Sequence, residues 1–285
     1  MPHREGNKRQ VVTLNPAELN QLENFACQMA DEAAKITLEF FRSHIEIEDK
    51  SCDEAFDPVT MADRKAEKIM RTLIETTYPK HGIIGEEHDN KNTGHALSWV
   101  LDPIDGTRSY ITGVPLWGTL IGLGAEGVPF LGVMDQPYLK ERYIGINTSE
   151  RREARLISTQ SGSRTLHTRP CSALSQATLT CTTPHMFNSG AERAAYEAVE
   201  AKCRLTRYSL DCYGYTLLAM GLFDVVIEAN MAQYDIFALI PLIEAAGGII
   251  TDWNGNPAHK GGQVIAAGNR TIHAQALDIL RPAAT

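Results

Sequence analysis

Nowhere in the chain do ~18 apolar residues follow one another, so no segment has the length of a membrane span. The first ten residues, Met1 to Gln10, are polar and charged, with none of the apolar core that a secretory leader needs. Basic residues are few and scattered. Beyond those first ten, no run of Lys or Arg exceeds two, and 27 basic residues stand against 35 acidic ones for a formal charge of −8. A nucleic-acid surface neutralises phosphate with clustered cations, and this chain has no such cluster. Cysteine is sparse as well: Cys27, Cys52, Cys171, Cys181, Cys203 and Cys212, with no C-x-x-C pair. These read as buried thiols of a reducing compartment. The expectation is a cytoplasmic protein with no membrane and no nucleic-acid partner.

What is present is ordinary for a globular chain: 285 residues, 43% hydrophobic and 22% charged. That length gives one large domain or two intimately packed halves, divided here as 1–150 and 151–285. Asn15-Pro16-Ala17-Glu18 supplies a cap, a proline at the first helical position and a glutamate at the third, followed by apolar residues at helical spacing to Phe40. A second helix fits Ala62 to Ile74, and Gly82–Gly85 reads as a short strand. From 98 to 146 the period shortens and glycine multiplies, which predicts an antiparallel meander. The polar stretch 147–175 reads as a junction. Beyond it, strands at 177–181, 204–208, 224–229 and 263–267 alternate with helices at 191–202, 213–220, 236–246 and 271–280, the pattern of an α/β layered half.

The chemistry concentrates at Trp99-Val100-Leu101-Asp102-Pro103-Ile104-Asp105-Gly106-Thr107. An apolar strand runs into two carboxylates three residues apart. Pro103 biases Asp102 toward an extended backbone and predicts that the strand ends there. Gly106 allows a sharp turn into a helix whose first N–H groups face an anion. One loop thus offers hard oxygen ligands and a phosphate cradle. Three other acidic segments sit at junctions between elements: Asp57-Pro58-Val59-Thr60-Met61-Ala62-Asp63, Gly85-Glu86-Glu87, and Asp235 at the head of an apolar helix ending at Gly247-Gly248. Gathering Glu86, Asp102, Asp105 and Asp235 without a cation is costly, and oxygen-only ligands favour Mg²⁺ or Mn²⁺ over zinc. Taken singly, each acid also has a plainer reading: Asp102 and Asp105 as loop caps, Asp235 and Asp211 as helix caps, Glu228 as a solvated strand-end acid.

In this order the four segments resemble the inositol monophosphatase-like superfamily of metal-dependent phosphatases, over roughly residues 20 to 280. The resemblance implies an αβαβα sandwich of the inositol monophosphatase and fructose-1,6-bisphosphatase type. It implies Glu86, Asp102, the Ile104 carbonyl, Asp105 and Asp235 as ligands for two or three Mg²⁺, with Mn²⁺ an alternative. Gly106 and Thr107 would contact phosphate. Thr107 with Asp63 would orient a metal-activated water, with Glu86 also in the catalytic group and Glu87 in support. A homodimer is expected from the resemblance alone.

Several stretches look like the histidinol-phosphatase branch, among them Asp105-Gly106-Thr107-Arg108-Ser109-Tyr110, Trp117-Gly118-Thr119-Leu120-Ile121 and Leu210-Asp211-Cys212-Tyr213. Inositol enzymes usually carry Gly-Ser-Ala-Ala where this chain has Ser209-Leu210-Asp211-Cys212, and Thr or Lys at Arg108. Histidinol phosphate bears an ammonium, which needs carboxylate partners. Asp211 and Glu228 are the candidates for substrate binding. The expected activity is therefore hydrolysis of a phosphate monoester, L-histidinol phosphate, in histidine biosynthesis. The alternatives are an inositol-1-phosphate or broad sugar-phosphate monophosphatase, and a non-catalytic metal- or phosphate-binding regulator.

Overall fold

The signal at Asn15-Pro16 does begin a helix: the Asn15 side chain accepts from the Ala17 and Glu18 amides, and Glu18 returns a bond to Asn15. A computed structural model describes residues 14–43, 47–49 and 58–285; Cys52 and Asp57 lie outside these. The first half runs α1 (Pro16–Phe40), β1 (Ile47–Asp49), β2 (Pro58–Thr60), α2 (Met61–Thr77), β3 (Gly82–Gly85), β4 (Leu97–Asp105), α3 (Thr107–Ile111), β5 (Gly118–Ala125), β6 (Val128–Gln136), β7 (Glu141–Asn147), β8 (Arg152–Ser158) and β9 (Arg164–Thr165). The second runs β10 (Thr178–Cys181), α4 (Ala191–Glu200), β11 (Leu205–Tyr208), α5 (Asp211–Ala219), β12 (Val225–Met231), α6 (Gln233–Ile236), α7 (Leu239–Ala245), β13 (Ile249–Asp252), β14 (Gly262–Ala267) and α8 (Arg270–Leu280).

Strands β3 to β9 form a seven-stranded sheet in sequence order, antiparallel throughout except for the parallel pair β3–β4. A five-stranded mixed sheet has the order β11-β10-β12-β14-β13. Helices α1 and α2 cover the outer face of the large sheet, where Phe25, Met29, Met70, Trp99 and Leu131 share one core. Helices α5 and α7 fill the space between the sheets, with Leu218, Leu239 and Ile243 against Leu120, Leu156 and Val226. Helices α4 and α8 close the far side around Tyr196, Trp253 and Ile272. The result is the αβαβα sandwich.

The glycines of the meander have a packing reason. Gly122, Gly132 and Gly145 stand opposite one another across β5, β6 and β7. A Cβ on Gly132 would lie 1.8 Å from the Ala238 carbonyl oxygen, and one on Gly145 would lie 2.2 Å from the Leu242 nitrogen. The backbone of the segment 237–242 therefore rests directly on the sheet.

The structure departs from the sequence reading in four places. The stretch 147–175 carries β8 and β9, so the first sheet continues to Thr165 rather than stopping near 150. In β8, Ala154, Leu156 and Ser158 alternate inward at the strand period, but Arg152, Glu153 and Arg155 around them disguise it. Arg151 donates to Glu23 of α1 at 2.7 Å. The helix expected at 236–246 is two pieces, because Pro241 has no N–H to donate to the Phe237 carbonyl. Strand β13 follows it. Fourth, β4 does not end at Asp102.

Candidate active site

Residues three apart in a regular strand point to opposite faces. Asp102 and Asp105 escape that rule through a bulge: Asp102 pairs with Leu120, but Asp105 pairs with Gly118, so three steps on β4 match two on β5. Pro103 is accommodated because a bulged residue needs no ladder N–H. Its carbonyl accepts from the Thr119 hydroxyl at 2.8 Å, and Asp102 Oδ1 accepts from the Ile104 amide at 3.1 Å. Asp105 Oδ2 accepts from the Cys212 amide at 2.7 Å. Asp235, third in α6, accepts from the Ala232 amide at 2.7 Å. One ligand oxygen from each of Asp102, Asp105 and Asp235 lies within 4.8 Å of the others.

Glu86 follows β3 and lines the same cavity. Buried Glu67 of α2 fixes its loop: Oε2 takes the Glu87 amide at 2.6 Å, and Oε1 takes Arg71 Nε at 2.6 Å. Arg71 also donates to the His88 and Asp89 carbonyls. Neither Glu67 nor Arg71 stood out in the sequence, where they look like an ordinary (i, i+4) helix pair.

Gly106 has φ +86° and ψ +39° and turns the chain from β4 into α3. A Cβ there would meet Asp211 Oδ2 at 3.1 Å. The Thr107 hydroxyl donates to the Ile104 carbonyl at 3.1 Å. Asp63 Oδ2 closes the α2 cap, taking the Thr60 amide at 2.9 Å and the Thr60 hydroxyl at 2.5 Å. Its Oδ1 is buried and has no hydrogen-bond partner among the described residues.

The second half supplies the opposite wall. Asp211 opens α5 with φ +47° and accepts from the Ser109 hydroxyl at 2.7 Å. Glu228 of β12 is buried; Oε1 takes the Thr182 amide and hydroxyl at 3.1 and 2.5 Å, and Oε2 takes the Tyr215 hydroxyl at 2.9 Å. Asp211, Glu228, Thr182 and Tyr215 line one cavity of about 300 Å³ with Glu86, Asp102, Asp105 and Asp235; Arg108, Met186, Asn230 and Tyr234 are also on its wall, whereas Asp63 is not among its lining residues. Every predicted metal, phosphate and substrate residue lies on that wall. Thr182 and Tyr215 were not foreseen. Thr182 is 46 residues from its partner, and no local pattern marks such a contact.

Burial and like charge dominate the electrostatics. Burial, then Glu86, Asp105 and Asp235, push the Asp102 carboxyl well above its ordinary range. Burial, then Asp211 and Asp235, do the same to Asp105 against the opposing Cys212 bond. Burial raises Asp63 to about 6, Thr60 opposing. Burial lifts Glu228 to about 7, with Thr182 and Tyr215 opposing and Asp211 adding to the rise. Converging carboxylates in one cavity fit a hard divalent cation, which reverses the cost of ionising them. The unpartnered Asp63 oxygen fits the outer part of such a polar network.

An acidic cluster of this kind beside a backbone turn at Gly106, set between the layers of an αβαβα sandwich, defines a metal-dependent phosphatase. The family model for the inositol monophosphatase family matches residues 18–283. The bifunctional phosphatase IMPL2 of Arabidopsis thaliana, a chloroplastic protein, is 43% identical over 282 residues, covering 93% of this chain and 78% of its own. A histidinol-phosphatase of Chlorobaculum parvum is 34% identical, covering 87% and 92%. The solved structure of an inositol monophosphatase from Zymomonas mobilis superposes with a TM-score of 0.80 at 39% identity, over 92% of this chain and 98% of that one. The chain belongs to the inositol monophosphatase family. Among the described residues no helix is long and apolar enough to cross a membrane, and Cys27, Cys171, Cys181, Cys203 and Cys212 are free thiols.

Proposed function

We propose that the protein is a Mg²⁺-dependent phosphomonoesterase whose substrate is L-histidinol phosphate, releasing L-histidinol and phosphate. Glu86, Asp102, Asp105, Asp235 and the Ile104 carbonyl would hold the metal, two or three Mg²⁺ or alternatively Mn²⁺. When bound, these ions supply Lewis acidity toward water and the phosphate oxygens. The backbone at Gly106 and Thr107 binds the non-bridging oxygens as the start of α3. The Thr107 hydroxyl, held on the Ile104 carbonyl, and the free Asp63 oxygen orient the attacking water.

The observation that carries the substrate choice is the second acidic pair. Asp211 packs against Gly106 and Glu228 lines the same cavity, both beyond the metal-binding acids. Such a pair repels a purely anionic ester and attracts an ammonium. The histidinol-phosphatase name of the Chlorobaculum parvum relative supports this reading. The inositol monophosphatase name of the Zymomonas mobilis structure supports the alternative, inositol 1-phosphate or a broader sugar phosphate.

Catalytic efficiency on histidinol phosphate and inositol 1-phosphate at equal Mg²⁺ decides between them. The expected ratio favours histidinol phosphate, and a ratio below one overturns the assignment. Asp211→Asn is expected to raise the KM for histidinol phosphate; an unchanged KM removes Asp211 from the binding site. Mg²⁺-dependent phosphate release separates either enzyme from a non-catalytic regulator. The same reading takes the protein as a cytoplasmic homodimer, which light scattering on the purified protein and cell fractionation test.

A further inference from the structure

The second acidic pair has a feature that its charge alone does not explain: one residue holds Glu228 with two hydrogen bonds. Thr182 follows β10 and lines the same cavity as two acids carried by different elements, Glu228 on β12 and Asp211 at the start of α5. Its amide and hydroxyl both serve Glu228 Oε1, at 3.1 and 2.5 Å. The outer oxygens are held separately, Asp211 Oδ2 by Ser109 at 2.7 Å and Glu228 Oε2 by Tyr215 at 2.9 Å.

A hydroxyl carries one proton. Thr182 commits that proton to Glu228, so it cannot donate to Asp211 at the same time. Glu228 is thus fixed by Thr182 and Tyr215 while Asp211 is held by Ser109, and the two carboxylates form an acidic set in one cavity. A group with several N–H donors and a positive charge complements it, and a sugar hydroxyl, neutral and with one proton, does so less well. Arg108, on the same cavity wall, offsets part of the Asp211 charge.

We propose that Thr182 is a positioning residue for substrate specificity, holding Glu228 so that it and Asp211 form a receptor for the ammonium group of the leaving alcohol. This rests on the proposed reading that the substrate is a cationic phosphate monoester. Thr182→Val keeps the shape and the backbone amide and removes only the hydroxyl. Thr182→Ser restores it.

The test measures kcat and KM on histidinol phosphate and inositol 1-phosphate for wild type, Thr182→Val and Thr182→Ser at saturating Mg²⁺. The expected result is that the efficiency ratio, cationic over neutral, falls by about ten-fold or more in Thr182→Val, the scale of one charge-assisted hydrogen bond. The fall should lie in KM for histidinol phosphate, and Thr182→Ser should recover the ratio. If wild type prefers histidinol phosphate and Thr182→Val retains that preference, the role assigned to Thr182 is wrong and the substrate assignment stands. If wild type shows no such preference, the substrate assignment fails and this inference falls with it. Should Thr182→Val not fold, Thr182→Ala takes its place in the same ratio. A variant that loses kcat equally on both substrates shows a merely structural role and overturns the proposal.

Discussion

Asp102→Asn should make the metal-free protein more stable while removing its activity. Asp102 is buried, and its charge faces Glu86, Asp105 and Asp235. With ligand oxygens within 4.8 Å, each like-charge pair costs about 3 kcal/mol or more at an effective dielectric of about 20. The penalty has a ceiling. A carboxyl that ordinarily titrates at 3.8 can be held protonated near pH 7 for about 4 kcal/mol. Asparagine removes the charge and still offers Oδ1 to the Ile104 amide. A gain of ~3 kcal/mol is expected, or roughly 6–12 °C in melting temperature at about 2–4 °C per kcal/mol.

The sign with pH follows from the raised carboxyl. Wild type is penalised progressively as pH rises above the unfolded value, so the gap between variant and wild type widens from about pH 5 to pH 7. Mg²⁺ reverses the order: at about 1,000 times its dissociation constant it adds ~4 kcal/mol to wild type and much less to the variant. Calorimetry on chelator-treated and Mg²⁺-loaded samples at two pH values reads all of this. Metal-free Asp102→Asn melting at or below wild type would refute the reasoning that these acids are held together against their own repulsion.

Other outcomes follow from the same structure. Gly145→Ala places a Cβ against the Leu242 nitrogen, an atom that cannot swing aside; about 3 kcal/mol or more should be lost in urea unfolding. Thr107→Val should lower kcat by about 100-fold or more with little change in KM, because the hydroxyl is proposed to act on the attacking water; steady-state kinetics checks the split. Burial holds His81 at about 4 while its Nδ1 accepts from Trp99 Nε1 at 3.1 Å. The unfolded imidazole takes its proton near 6.5, so stability should drain away as pH falls from about 6.5 to 4, by up to about 3 kcal/mol. Acid unfolding of His81→Phe should lose that part of the pH dependence.

The elements most legible in the sequence were those with local causes. Asn15 and Pro16 announce α1, the 3.6-residue spacing from Ala62 announces α2, and the apolar run before Asp102 announces β4. Asp105, Glu86 and Asp235 were legible because each stands at the end of an element, and Asp102 because it closes an apolar run. How Asp102 and Asp105 reach one side was not: Pro103 reads as a stop, whereas the chain bulges around it and continues to pair. Strand β8 hid behind Arg and Glu on its exposed face. The grip of Glu67 on the Glu86 loop, and of Thr182 and Tyr215 on Glu228, are contacts between distant segments. They leave no periodic trace.

The bare floor formed by Gly122, Gly132 and Gly145 has a consequence for exchange between relatives. The segment 237–242, which directly follows the helix that carries Asp235, lies main chain on main chain at Gly132 and Gly145 and sets the Phe237 ring over Gly122. The helix, that segment and the three glycines therefore form one inherited part. A chimera that takes the helix from one protein and the sheet from another should keep its acidic residues and still set them at the wrong height, unless the glycines travel with the helix.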